Sequence, residues 1–391
     1  MAAGSIGRLH RSGTCKSRST RIVPDGGGVL LSTEASPLRV HRQARSLKRG
    51  AFLGLSAAAL FGLSTPLAKV LLGSVSPVLL AGLLYLGAAA GLWLRLLTRR
   101  PTSEASLTPN DIPNLAGVVV MGGILGPLLM LSGLDRVTAL AGSLLLNLEA
   151  PLTVLIAVAV FHEHLGRHAA AAAALIVGGA LILKLELGKV GADAVGVALL
   201  AGACFCWALD NNLTQRLSLR DPFAVVRVKT LAAGVFNTAL GLVVSGGQVP
   251  KARYVAGAML LGSISYGISV VLDAYALRLV GAAREAAYFA TAPFVGALAS
   301  LVLLRDSLRW FDAVAMVLMG VGVALLLRER HSHVHAHEPL EHEHLHEHDE
   351  HHQHEHGPGD PRVEPHTHPH VHGRLVHDHP HLPDAHHRHG H

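Results

Sequence analysis

The chain has 391 residues, of which 50% are hydrophobic, and it carries a formal net charge of +6. Its mean hydropathy of +0.39 is too high for an ordinary soluble protein of this length. Three regions differ sharply: residues 1–50 are basic and polar, 51–330 are almost continuously apolar, and 331–391 form a histidine-rich tail. The chain contains no phosphate-binding loop, nucleophile triad or hydrolase elbow, so it is not predicted to be an enzyme.

The basic N-terminal arm, residues 1–50, stands directly before the first apolar segment. Nucleic-acid binding is one interpretation of such an arm. Lys and Arg beside a first membrane helix favour a cytoplasmic anchor instead. We therefore expect a cytoplasmic N-terminus and no nucleic-acid partner.

The apolar region divides into segments of the length that a membrane helix needs, about 20 residues. Turn-forming Gly, Pro, Asn and Asp separate them. Ten segments are predicted, near residues 51–72, 77–97, 112–132, 138–161, 168–186, 194–214, 223–245, 254–275, 281–304 and 310–327. Small residues recur along them and predict close helix packing; examples are Gly82, Gly87, Gly122 and Gly178.

The fourth and ninth segments repeat one another. Arg136 and Pro151 recur 142 residues later as Arg278 and Pro293. Four alanine or valine positions of the same stretch recur at the same separation, and an acidic cluster closes both copies. This pattern indicates an internal duplication.

A duplication of five helices places its second copy in the membrane in the opposite sense, because five is odd. The predicted fold is therefore an all-α integral membrane protein of ten transmembrane helices, arranged as two inverted five-helix repeats. The predicted domains are a basic cytoplasmic extension (1–50), a first repeat (51–187), a second repeat (188–330) and a disordered histidine-rich tail (331–391). With the basic arm counted, the Lys and Arg distribution places both termini in the cytoplasm.

Several motifs resemble those of drug/metabolite transporters of the EamA type. They are Phe61-Gly62 through Lys69, the pairs Pro151…Glu163 and Pro293…Asp306, and the stretches Asp210–Thr214 and Tyr288–Pro293. The resemblance covers about residues 51–330 and implies a plasma-membrane (inner-membrane) exporter or permease that works by alternating access. Members of that family carry amino acids, nucleosides, drugs and other metabolites, so the resemblance does not name the substrate.

Glu149 is the strongest candidate for a site residue. It lies near the middle of the fourth segment, two residues before Pro151. Proline frees a backbone carbonyl near Asn147 and kinks the helix. A charged residue at this depth is costly, so it indicates a site for a proton or a substrate ammonium group. A protonated or paired structural Glu is the alternative.

Other polar side chains near segment ends either converge on Glu149 or extend to the membrane interface. The predicted substrate-binding set is Asn147, Glu149, Asp210, Asn211, Lys229, Arg284, Glu285 and Tyr288, with Arg227 and Asp273 as further charged residues nearby in sequence. Lys69, in the first segment, is interpreted as an interface anchor.

Of the 28 histidines, 23 lie beyond residue 330, often at alternate positions. Extended chain places alternate residues on one side, and imidazole suits zinc, nickel, cobalt and copper. The predicted ligands are His331, His333, His335, His337, His342, His344, His346, His348, His366, His368, His370 and His372. Zinc, nickel or cobalt are the metals expected on this tail, which is predicted to be disordered without them.

Three functions remain open at this point. The first is export of small organic metabolites, with no required cofactor and with a metal-binding tail that regulates or stores. The second is a divalent-metal transporter whose tail collects cargo, although the interiors of the ten segments contain no histidine. The third is a membrane-anchored metal sensor, which the duplication disfavours. The expected partners are the lipid bilayer, a small solute and divalent metal, and a homodimer is compatible with the sequence.

Overall fold

The computed structural model describes residues 37–98, 105–161, 167–189, 194–217, 220–280, 285, 288–328, 331–337, 340–346, 366–372 and 375–381. Most of the basic extension, Arg284 and His348 lie outside this part of the chain. The chain divides into two units, Met1–Arg42 and Gln43–His391, and the second contains nearly all of the helical region.

The apolar region is helical throughout its described residues. The α-helices are α1 (Pro37–Gly62), α2 (Ser64–Leu72), α3 (Pro77–Thr98), α4 (Ile112–Val118), α5 (Gly126–Arg136), α6 (Ala139–Leu145), α7 (Glu149–Phe161), α8 (Arg167–Lys189), α9 (Ala194–Arg216), α10 (Pro222–Val244), α11 (Ala252–Gly262), α12 (Ser269–Val280), α13 (Ala292–Leu303) and α14 (Trp310–Arg328). A 3₁₀ turn, Pro109–Asp111, precedes α4. Most helix ends agree with the ten predicted segments to within a few residues, except where a segment is interrupted. The first segment differs, because α1 begins at Pro37 and not near residue 51.

Two of the predicted segments contain a π-helical turn in the middle. Val119–Leu125 joins α4 to α5, and Ser263–Ile268 joins α11 to α12. These segments are the third and the eighth, which the duplication makes equivalent. A π-helical turn loosens the regular hydrogen-bond ladder and is frequent at functional sites. The same irregularity at equivalent places supports the duplication.

The fourth segment is also interrupted. A 3₁₀ turn, Leu146–Leu148, separates α6 from α7, and α7 begins at Glu149. The α-helical hydrogen-bond pattern is thus broken one turn before Pro151, where the proline lacks the N–H that would bond. The ninth segment differs from its prediction as one helix: Ala290 and Thr291 form a turn, and α13 begins at Ala292.

Helices α3 and α10, the second of each predicted repeat, pack along one another. A Cβ at Gly82 would meet the backbone of Thr238, one at Gly234 would meet Leu86, and one at Gly241 would meet Leu79. Residue numbers therefore increase along α3 as they decrease along α10 at the contact, so the two helices are antiparallel. Glycines allow this close approach between apolar helices.

Helices α8 and α14, the fifth of each predicted repeat, also pack against one another and are also antiparallel. Gly179 lies against Ala315 and Met319, whereas Gly322 lies against Ala172 and Ile176. Equivalent helices that pair antiparallel are what a repeat inverted in the membrane requires. The expected close contact at Gly178 is wrong, because nothing lies within 4 Å of a Cβ built there.

Length and composition make seven described helical stretches able to cross a membrane. They are Leu47–Leu72, Pro77–Leu94, Pro109–Arg136, Ala139–Val160, Ala194–Thr214, Pro222–Val244 and Ala252–Ala276. Three shorter apolar helices follow the same pattern, Arg167–Leu183, Ala292–Leu303 and Trp310–Leu326. Large apolar side chains such as Leu94, Val243 and Val302 are more than half exposed on these helices, as contact with lipid requires. The chain is a multi-pass membrane protein, and the count of ten spans stays a prediction.

The tail contains four strands, β1 (His331–His337), β2 (Leu340–His346), β3 (His366–His372) and β4 (Leu375–His381). β1 pairs antiparallel with β4, and β2 with β3. The register places histidine opposite histidine, for example His333 opposite His379 and His344 opposite His368. Alternation at every second residue is the period of a strand, which accounts for the extended conformation here. The disorder expected for the metal-free tail stays a prediction.

The predicted orientation, with both termini in the cytoplasm, can be tested with a reporter fused at chosen positions of the chain. A reporter active only outside the cell, fused to residue 391, should be inactive if both ends are cytoplasmic. The same reporter fused after Ser74, at the end of the first span, should be active. Activity at residue 391 would contradict the even number of spans or the cytoplasmic start.

Candidate functional site

Glu149 lies at the interruption of the fourth segment, where α7 begins. Its Oε1 accepts a hydrogen bond of 2.7 Å from Nδ2 of Asn211 on α9. Thr153 Oγ1 donates to the Glu149 carbonyl oxygen at 2.9 Å. Glu149 is partly accessible and Asn211 is exposed. Glu149 and Asn211, both members of the predicted set, are therefore in direct contact; their role in binding a solute stays a prediction.

Asp210, the residue before Asn211, forms an ion pair with Lys229 on α10. Thr214 Oγ1 donates a second hydrogen bond to Asp210 Oδ1 at 3.3 Å. Asp210 is buried with 6% exposure, so a cation is needed beside it. Its carboxylate occupies the space that a side chain at Gly122 would fill, which places it against the π-helical turn Val119–Leu125.

A second acidic pair lies nearby. Asp273 on α12 and Glu285 share a side-chain hydrogen bond. Glu285 is 8% exposed, and its Oε1 and the Oδ1 of Asp273 find no hydrogen-bond partner among the described residues. Two carboxyl groups are thus held together, one on the buried Glu285 and one on the partly accessible Asp273.

These side chains form one electrostatic group. The charges of Asp210, Asp273 and Lys229 all act on Glu149, and the charge of Glu149 acts on Glu285. We call Glu149, Asp210, Asp273 and Glu285, with Lys229, the carboxylate cluster. It draws on five separate helical segments, as a site between packed helices does. Among the described residues, no group of three or more His, Cys, Asp or Glu is placed to hold a metal ion.

An aromatic cluster adjoins the carboxylate cluster: Phe61, Tyr85, Trp207, Tyr266 and Phe289. The Phe61 ring centroid lies 6.2 Å from that of Trp207, 5.5 Å from that of Tyr266 and 5.2 Å from that of Phe289. The rings of Tyr85 and Tyr266 are 5.5 Å apart. The charge of Asp210 acts on Tyr85, so the two clusters are neighbours.

The π-helical turn links the aromatic cluster to the fold. The Gly122 carbonyl oxygen accepts from Tyr85 Oη at 2.8 Å and from Trp207 Nε1 at 3.3 Å. The Gly123 carbonyl oxygen accepts from Asn237 Nδ2 at 3.2 Å. The turn thus leaves carbonyl oxygens that three side chains satisfy, as a dry interior demands. Sequence reasoning missed Tyr85, Trp207 and Tyr266, although polar aromatics in the interiors of apolar segments are a usable signal.

Other predicted residues lie elsewhere. Asn147 points away from the carboxylate cluster: its Nδ2 donates to the Leu144 carbonyl oxygen at 3.0 Å and to Met319 on α14. The Arg227 guanidinium lies over the Trp93 ring, 5.0 Å from its centroid. Tyr288 lies beside Gly54 on α1. Arg284 is outside the described residues, so its place in the predicted set stays a prediction.

Lys69 contacts the end of α5, while its role as a membrane-interface anchor stays a prediction. Its Nζ donates to the carbonyl oxygens of Leu134 at 2.6 Å and of Asp135 at 3.0 Å. These are orphan carbonyls in the last turn of α5, where a positive charge is favourable. Asp306 caps the neighbouring helix α6: its Oδ2 accepts a hydrogen bond of 3.0 Å from the Leu140 backbone N in the first turn of that helix.

We expect Lys69→Met to lower the stability of the purified protein by about 1–3 kcal/mol, since a part-buried carbonyl of Leu134 and an exposed carbonyl of Asp135 lose their charged donor. Thermal unfolding in detergent measures this, and Lys48→Met, which changes an exposed lysine, is the control. Unchanged stability together with lost solute export would assign Lys69 to the solute instead.

Comparisons with known proteins agree with this architecture. The model of the EamA-like transporter family matches residues 48–185 and again residues 194–328. A protein of Methanothermobacter thermautotrophicus described as "Uncharacterized transporter" is 28% identical over 282 residues, which cover 68% of this chain and 82% of that protein. A solved crystal structure shares the fold with a TM-score of 0.55 and 21% identity, over 71% of this chain and 98% of its own. The two family matches cover most of the chain, one for each half, and the chain therefore belongs to the EamA-like transporter family, as a membrane transporter of small molecules.

Proposed function

We propose that the protein exports small organic metabolites across the plasma (inner) membrane by alternating access, with ten spans and both termini in the cytoplasm. The observation that carries this proposal is the Glu149–Asn211 contact, a partly accessible carboxylate between helices of the two family matches. A transport path must lie between helices, and the substrate sites of secondary transporters typically form at discontinuous transmembrane helices.

The chemistry of the site favours solutes that carry an ammonium group. Four carboxyl groups of the carboxylate cluster face one lysine, Lys229, among the described residues, and Lys229 already pairs with Asp210. Aromatic rings beside a carboxylate attract cations through their negative faces. Glu149 would bind the ammonium group and the aromatic cluster would contact the organic part of the solute.

A resistance screen tests this function. Cells that lack the protein and cells that overexpress it are exposed side by side to amino-acid analogues, aromatic organic cations and metal salts. We expect overexpression to protect against an amine-bearing solute. Protection against metal salts alone would favour the divalent-metal transporter, for which the histidine tail is the supporting feature. Metal-dependent responses without any protection would favour a membrane-anchored metal sensor.

The tail is proposed to bind divalent metal and to modulate the transporter from the cytoplasm. Its histidines lie outside both family matches. We expect truncation after Arg330 to leave a folded protein that still exports its organic solute, while high-capacity zinc or nickel binding is lost. Because neutral imidazole is the ligand, binding to the full chain should weaken below about pH 6.5.

Equilibrium dialysis with zinc, together with export by membrane vesicles, checks this prediction on the full and truncated chains. Loss of export together with the tail, or metal flux that depends on the tail, would contradict it and favour a metal cargo.

A further inference from the structure

Asp273 and Glu285 stand apart from the proposed solute contact. They lie in the second half of the chain, on α12 and near the start of the ninth segment, whereas Glu149 lies in the first half. Each keeps one carboxyl oxygen that has no hydrogen-bond partner among the described residues. Glu285 is 92% buried, since only 8% of it is exposed. Neither oxygen has a described role in capping or holding a helix.

A hydrogen bond between these two carboxyl groups requires a proton, because an ionised carboxylate can only accept. Two adjacent negative charges out of water repel each other strongly, so a pair of this kind shares one proton rather than ionising twice. A pair bridged by one proton in this way carries a net charge of minus one.

Among the described residues, the groups that face the pair do not neutralise a second charge. Asp273 faces Glu285 and Lys229, and Glu285 faces Asp273 and Glu149. Lys229 is already in an ion pair with Asp210. The group that reaches Glu285 from α7 is thus another carboxyl, which opposes ionisation further.

We propose that Asp273 and Glu285 form a proton-binding site, separate from Glu149, in which one proton bridges the two carboxyl groups. Asp273 belongs to the eighth segment and Glu285 to the ninth, so a movement of one segment relative to the other would break the bridge. The use of this proton to drive export rests on the proposed function; its binding does not.

Infrared spectroscopy of the purified, lipid-reconstituted protein tests the site without any solute. A protonated carboxyl group gives a C=O band that shifts when water is replaced by deuterium oxide. We expect such a band at neutral pH in the unmodified chain and its loss in the double variant Asp273→Asn/Glu285→Gln. The two amides keep the shape and hydrogen bonding of the pair and carry no charge, so the double variant should fold.

Two single variants serve as controls. Glu149→Gln removes the neighbouring carboxyl, and Asp312→Asn removes a buried carboxyl that accepts from the Arg309 backbone N at 3.0 Å. Both should retain the band of the pair. A band that survives in the double variant, or one that disappears with Glu149→Gln alone, would place the proton elsewhere and overturn the proposal. Neither result depends on whether the protein exports a solute.

Discussion

Glu149→Gln should reduce solute export by about 100-fold while the protein still inserts and folds. Loss of a charge that binds a charged group inside a protein costs about 3 kcal/mol, which corresponds to that factor. The amide can still bond to Asn211, so the contact between α7 and α9 that the 2.7 Å hydrogen bond provides is retained. The measurement is the initial rate of export, per folded protein, of a solute found in the resistance screen.

Asp312→Asn is the matched control for Glu149→Gln. It is also a change from a carboxyl to an amide at a residue with only 7% exposure, but far along the chain at the start of α14. Its amide oxygen still accepts from the Arg309 backbone N, so export should be unchanged. If Glu149→Gln exported normally at every pH, Glu149 would be a structural group and the proposed site would be wrong.

Gly262→Leu should prevent the formation of a stable, monodisperse protein. A Cβ at Gly262 would overlap the carbonyl group of Leu84 on α3, and a backbone group cannot turn aside as a side chain can. Overpacking of an interior typically costs about 1–3 kcal/mol even where side chains adjust, and we expect at least about 3 kcal/mol here. Gly87 on α3 likewise faces the backbone of Met259 on α11, so each of these two helices contributes a glycine to their close contact.

Fluorescence-detected size-exclusion chromatography of detergent extracts measures this effect. Gly178→Leu is the control, because no atom lies within 4 Å of a Cβ built at Gly178 and an added apolar side chain there has room. We expect a normal peak for Gly178→Leu and an aggregated or absent peak for Gly262→Leu. Equal behaviour of the two variants would mean that α3 and α11 are not in close backbone contact.

The central place of α3 explains why glycine matters there. This helix packs along α10 through Gly82, Gly234 and Gly241, and against α11 through Gly87 and Gly262. No hydrophobic effect drives helices together inside a bilayer, so close backbone approach and dispersion must supply the association.

The sequence by itself determined the class of the protein. Apolar segments of about 20 residues indicate membrane helices, in which every backbone polar group is hydrogen-bonded within the helix. The recurrence of Arg136 and Pro151 as Arg278 and Pro293 revealed two related halves. The family match to each half confirms that duplication. The break before Glu149 also followed from the sequence, because proline removes a local hydrogen bond whatever the surroundings.

Only the tertiary structure decided which charged residues meet. Asp210 pairs with Lys229 and Asp273 with Glu285, whereas Arg227 turns to Trp93 and Asn147 turns toward α14. A residue near the end of a helix can face the core or lipid according to a rotation of the helix that one sequence does not fix. The antiparallel pairing of α3 with α10, and the aromatic cluster that it helps to place beside Asp210, likewise depend on contacts between segments far apart in the chain.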